Sequence, residues 1–165
     1  MLCFARDGER GGPQTVRWTA RAISGHDGRM SVLISTTYLG GLRCEATHGP
    51  STSKLLSDAP VDNLGKGESF SPTDLVATAM GTCMATTMGI YAQRQEIDLR
   101  GMTVTVEKEM TTEPPRRIAR LTVDVRVPVA GTHPHREALE RAALNCPVAK
   151  SVHPDVALPV RFVWQ

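Results

Sequence analysis

The segment Phe70-Ser71-Pro72-Thr73-Asp74-Leu75 is a complete start signal for a helix, and that helix constrains everything around it. Ser71 stands at the N-cap, Pro72 at the first helical position, and Asp74 closes an S-x-x-D capping box. Phe70 and Leu75 occupy the two positions of a hydrophobic staple. Leu75, Ala79, Cys83, Thr86 and Ile90 follow at three- and four-residue steps. The spacing predicts a long amphipathic helix with Cys83 about three turns in, facing protein. Met80, Met84 and Met88 cannot all share that stripe, so more than one side of the helix needs cover.

Strand patterns lie on both sides. Ser31–Tyr38 alternates polar and apolar residues, Gly40-Gly41 turns into Leu42–His48, and Lys54–Ser57 is a short third strand. Asp58–Ser69 reads as a loop. Met102–Met110 and Ile118–Val127 alternate around Glu113-Pro114-Pro115, as in a hairpin. Pro134–Asn145 is helical, with Ala138, Leu139, Ala142 and Ala143 on one face, and Leu158–Trp164 closes as a strand. Helices segregated among antiparallel strands give the α+β class.

At 165 residues the chain is one domain. Aromatics make up only 4%, so its core must come from Val, Leu, Ile, Ala and Met. Residues 1–29 are Gly-rich and aperiodic, either a flexible extension or the product of an upstream start, because Met30 directly precedes the first strand. The folded unit is residues 30–165. The segment 1–29 holds five Arg against three acids, and the remainder is balanced at fourteen basic and fourteen acidic residues. Without a basic stripe interleaved with aromatics, nucleic acid is excluded as a partner. No apolar run approaches the roughly 20 residues that cross a bilayer, and no secretory h-region is expected. The expectation is a cytoplasmic protein without a membrane partner.

In a reducing compartment, cysteines point to chemistry more than to stapling. Four occur, at Cys3, Cys44, Cys83 and Cys146. Cys83 lies inside the long helix and Cys146 at a helix-breaking Asn145-Cys146-Pro147 step, 63 residues away. Burial alone raises a thiol pKa, so a reactive Cys83 needs a cation or hydrogen-bond donors beside it. The plain alternative is a core thiol and a helix boundary. Cys44-x3-His48 could begin a zinc site, but no CxxC or HExxH pair accompanies it, and no metal or organic cofactor is expected. The Gly65-Lys66-Gly67 step lacks the spacing of a phosphate-binding loop, and no G-x-S-x-G elbow occurs.

The run Tyr38–His48, then Asp58-Ala59-Pro60, then Gly65–Leu75, together with Gly81-Thr82-Cys83 and Cys146-Pro147-Val148, resembles the OsmC/Ohr family. The likeness spans about residues 31–164. It implies an OsmC-like fold: antiparallel sheets, a long central helix carrying the first active-site cysteine, and an intertwined homodimer with active sites at the subunit interface. It further implies a two-cysteine peroxidase that reduces organic hydroperoxides, and often hydrogen peroxide, with electrons from an external thiol reductant. Cys83 matches the peroxidatic cysteine and Cys146 the resolving one. Arg43 is the candidate for the thiolate-stabilising arginine. Where the better-known branches carry a glutamate to orient that arginine, this chain has Thr73; Glu68 and Asp74 are the nearby carboxylates that could substitute. The branch resembled is the OsmC-like one, for which the alternative is a non-catalytic dimer binding a small hydrophobic ligand at the interface. Read without the resemblance, Asp74 is a helix cap, Arg43 a salt-bridged strand residue, Glu68 a loop charge and Cys44 a structural thiol on the strand face opposite Arg43.

Overall fold

The computed structural model describes residues 31–165, so the expected extension over 1–29 lies outside the described residues. Three strands come first: β1 (Ile34–Gly40), β2 (Arg43–His48) and β3 (Lys54–Asp58), an antiparallel meander in the order β1-β2-β3. A 3-10 turn over Val61–Asn63 interrupts the following loop. The central helix α1 runs from Pro72 to Arg94. A second sheet combines β4 (Thr103–Met110), β5 (Ile118–Val127) and β6 (Val160–Trp164). Between β5 and β6 lie α2 (Arg136–Leu144) and the short α3 (Pro147–Ser151).

The start of α1 is the one the sequence dictates. Ser71 accepts from the Asp74 amide at 3.1 Å, and the Asp74 carboxylate accepts from the Ser71 amide at 2.8 Å. Both arms of the capping box are therefore made, and Pro72 costs no hydrogen bond where the helix has none to lose. The staple expected of Phe70 leaves that ring 53% exposed.

The core face of α1 differs from the expected one. Ala77, Met80, Gly81, Met84, Met88 and Ala92 are buried, whereas Thr86 and Ile90 are exposed and Cys83 sits half-buried at the margin. Apolar residues run all round this helix, so no single stripe is marked out; the side that wins is the one that meets β4 and α2. Gly81 permits the close approach, since a Cβ there would stand 3.1 Å from a Val106 methyl. Packed beneath are Leu121, Val123, Val125 and Val127 of β5 with Leu139 and Ala143 of α2.

By length and composition alone, α1 could cross a membrane, with an 18-residue window of mean hydropathy 1.3. This corrects the expectation that no segment qualifies. Threonines and glycines had masked the tendency, and only part of that surface is covered within the chain.

The first sheet projects from this body. Its register puts Ile34, Tyr38, Cys44, Ala46 and Leu55 on one face and Arg43, Glu45, Leu56 and Asp58 on the other. Ile34 is 62% exposed, and Tyr38 and Leu55 are exposed beside it, so an apolar face has no cover within the described chain. In the second sheet β4 and β5 pair antiparallel, but β6 joins β5 in parallel, with Val123 opposite Val160.

Candidate active site

Cys146 is fully buried and caps α3: its Sγ accepts from the Ala149 amide at 3.4 Å, with Pro147 at the first helical position. The half-buried Cys83 packs against the core cluster to which Cys146 belongs. Burial pushes the Cys146 thiol above its ordinary pKa, and the neighbouring Cys83 adds to that, against the opposing pull of the Ala149 amide. Both are free thiols, as is Cys44. The fold has thus closed a gap of 63 residues and set one exposed-edge thiol against one buried thiol.

Arg43 lies elsewhere. It stands directly opposite Asp58 across the β2–β3 ladder. Its Nη2 donates to Asp58 Oδ2 at 3.4 Å and also pairs with the Glu68 carboxylate. The Glu68 amide donates to the same Asp58 oxygen at 3.0 Å, tying the loop to the strand. Glu68 is therefore a partner of Arg43 and not an unattached loop charge. Arg43 and Glu68 are brought together on the projecting sheet, and the contacts Arg43 makes in its own chain are to carboxylates, not to Cys83.

Asp74 serves as the helix cap and has a second partner. Lys108 of β4 reaches it with Nζ 2.6 Å from Oδ1, and donates to Thr73 Oγ1 at 2.8 Å. Partial burial opposes ionisation of Asp74, but the bonds from Lys108 and Ser71 outweigh it and hold the carboxyl below the usual range. Lys108 was not singled out from the sequence. The signal was there: it continues the inward phase of Val104 and Val106 on an otherwise apolar strand face.

An open groove of about 1000 Å³ runs between α1 and β4, lined by Phe70, Ala77, Gly81, Ala85, Val106 and Lys108 among others. Gly81 and Cys83 are two residues apart in a helix, about 200° of rotation, so the groove and Cys83 flank opposite borders of the exposed side of α1. Cys44 lies half-buried on the face opposite Arg43, as alternation requires. His48, its possible metal-binding companion, has Nδ1 2.7 Å from Ser51 Oγ. A second cluster missed from the sequence joins Tyr91 to His135, hydroxyl to Nδ1 at 2.8 Å, with the His133 ring tilted against that of His135 at 5.7 Å between centroids. It fastens α1 to the approach of α2.

Comparison with known proteins accords with this architecture. Residues 65–160 match the family described as OsmC-like protein. A Psychrobacter arcticus protein, described by inference as an osmotic stress induced and detoxification response protein, is 43% identical. The match covers 78% of this chain and 93% of that one, with a TM-score of 0.74. An organic hydroperoxide resistance protein OsmC of Legionella pneumophila shares the fold at 21% identity and a TM-score of 0.62, over 81% and 96% of the two chains. An organic hydroperoxide resistance protein of Elizabethkingia anophelis does so at 13% identity and 0.67, over 83% and 98%. None of the curated proteins matches the chain. With more than half its length matched, and a relative this similar over most of the chain, the protein is a member of the OsmC-like family.

Proposed function

We propose that the protein is a thiol-dependent peroxidase that reduces organic hydroperoxides within a reducing compartment. The observation that carries this reading is the meeting in one core cluster of Cys83, at the margin of α1, and Cys146, buried at the cap of α3. The Cys83 thiolate attacks the outer peroxide oxygen; the O–O bond breaks, and the alkoxide leaves and takes a proton as the alcohol. The resulting Cys83 sulfenic acid is attacked by Cys146 sulfur, forming the S–S bond and releasing water. An external dithiol then reduces the disulfide by exchange. The raised pKa of Cys146 suits the second role, since it stays a thiol while Cys83 does the first chemistry.

Cys83 lies too far into α1 for the helix dipole, which fades within the first turn, so its thiolate needs a cation. Arg43 is assigned that part across a homodimer. Leu56, on the same sheet face as Arg43, is 53% exposed in a single chain, and Cys83 borders the exposed side of α1, so Arg43 with Glu68 would complete the site of the partner. The test is cumene hydroperoxide added to the reduced protein, with thiol titration and mass spectrometry for a Cys83–Cys146 linkage. Cys83 oxidation no faster than that of an unperturbed thiol would sink the assignment. It would favour the second reading, a dimer that binds a small hydrophobic ligand, for which the support is the groove along Ala77, Gly81 and Ala85.

A further inference from the structure

Asp58 is a buried carboxylate that neither the capping of α1 nor the thiol chemistry uses. Its side chain is wholly inaccessible, and it sits at the end of β3 directly across from Arg43. Oδ2 takes the Glu68 amide at 3.0 Å and the Arg43 guanidinium at 3.4 Å, while Oδ1 is buried without a partner among the described residues. Arg43 Nε is likewise buried and unpaired there. An acceptor and a donor left over on two side chains already in contact are the makings of a two-point carboxylate–guanidinium pair. The backbone amide of Glu68, foremost, with the charge of Arg43 and the backbone amide of Lys66, keeps the Asp58 carboxyl below its usual range despite burial.

We propose that Asp58 is the positioning residue for Arg43. The inference rests on Arg43 serving the Cys83 thiolate. Glu68 pairs with the same guanidinium, but its side chain is 59% exposed, and a solvent-exposed pair holds a side chain weakly. Asp58 is fixed by the ladder and by a backbone hydrogen bond, so it alone can hold the guanidinium at a set angle.

The test is the variant Asp58→Asn, which keeps the size and can still accept from the Glu68 amide. Two readouts are taken in a Cys3→Ser, Cys44→Ser background: the rate of Cys83 oxidation by cumene hydroperoxide, and the pH midpoint of Cys83 alkylation by iodoacetamide. The rate should fall about tenfold, the scale of one charge-assisted contact, and the midpoint should rise. Neither should change further when Asp58→Asn is added to Arg43→Ala. A purely electrostatic role has the opposite sign, because removing a negative charge near a thiolate lowers the midpoint; that result overturns the proposal. A fall in Tm with the midpoint unmoved leaves Asp58 a structural residue and also overturns it. If Asp58→Asn does not fold, Glu68→Gln decides. It should slow oxidation less than Arg43→Ala does, and an equal loss assigns the positioning to Glu68 instead. A parent protein inert to peroxide defeats the peroxidase reading, and the alkylation midpoints still decide this one.

Discussion

Lys108 Nζ lies 2.6 Å from Asp74 Oδ1, joining the inner face of β4 to the first turn of α1. Asp74 therefore answers both to its own helix and to the sheet beneath. Asp74→Ala should lower stability by about 1 kcal/mol through loss of the capping box, read as a fall in Tm. The carboxyl is held below its usual range, so its contribution is present above the unfolded-state pKa and is lost as pH falls through the folded value. Asp74→Asn should accordingly lose less stability than the parent on acidification below about pH 4, measured by denaturant melts across that range.

Thr73→Glu brings a carboxylate to the position occupied in other branches. Because Lys108 already donates to Thr73 Oγ1, that carboxylate is expected to pair with Lys108 before it can reach Arg43. Thr73→Glu alone should leave peroxide-driven oxidation of Cys83 unchanged within about twofold, and Thr73→Glu with Lys108→Met should raise it. Stopped-flow oxidation of the single and double variants checks this; an accelerated single variant would contradict it.

Arg43→Ala should slow Cys83 oxidation at least about tenfold without unfolding the protein, since a charge-assisted contact contributes roughly 1.5–3 kcal/mol. Arg43→Lys should recover only part, because an ammonium cannot reproduce the planar donor fork. Mixing Arg43→Ala chains with Cys83→Ser chains supplies the sharper measurement. If Arg43 works across the dimer, hybrids regain one fast site; if it works within its own chain, they gain none.

The buried Cys146 thiol sets a pH dependence for resolution. Its pKa is raised, so the thiolate fraction at neutral pH is small and grows as pH climbs. Conversion of the sulfenic acid to disulfide should speed up from neutral to alkaline pH, followed by dimedone trapping of Cys83. Cys146→Ser should leave the sulfenic acid trappable at every pH.

Ile34 and Leu55 lie on the apolar face of the first sheet, with nothing over them in the described chain. Introducing Ile34→Asp and Leu55→Asp together should convert a dimer to a monomer in size-exclusion with light scattering, and should also abolish Arg43-dependent acceleration of Cys83.

The parts of this molecule written in local sequence were readable in advance. The capping box of Ser71 and Asp74 is local, and so is the alternation of Leu121, Val123, Val125 and Val127, all four of which are buried. The buried side of α1 was not readable, because methionine, alanine and isoleucine surround the helix and only tertiary contact chooses among them. Helix α3 is five residues long, too short for any periodicity to register. The partners of Arg43 follow from strand register and a loop closure. Gly65 lies so close to Ala59 that a Cβ would overlap its carbonyl, and this tight return carries Glu68 back to the strand.

Because β6 pairs in parallel with β5, the chain must cross from one end of the second sheet to the other before its last strand can be laid down. That crossing is the segment containing α2 and α3, and Cys146 rides on it. The two cysteines are therefore delivered by separate pieces of chain, one by the central helix and one by the crossover, and they share a core cluster only because that crossover packs back on α1.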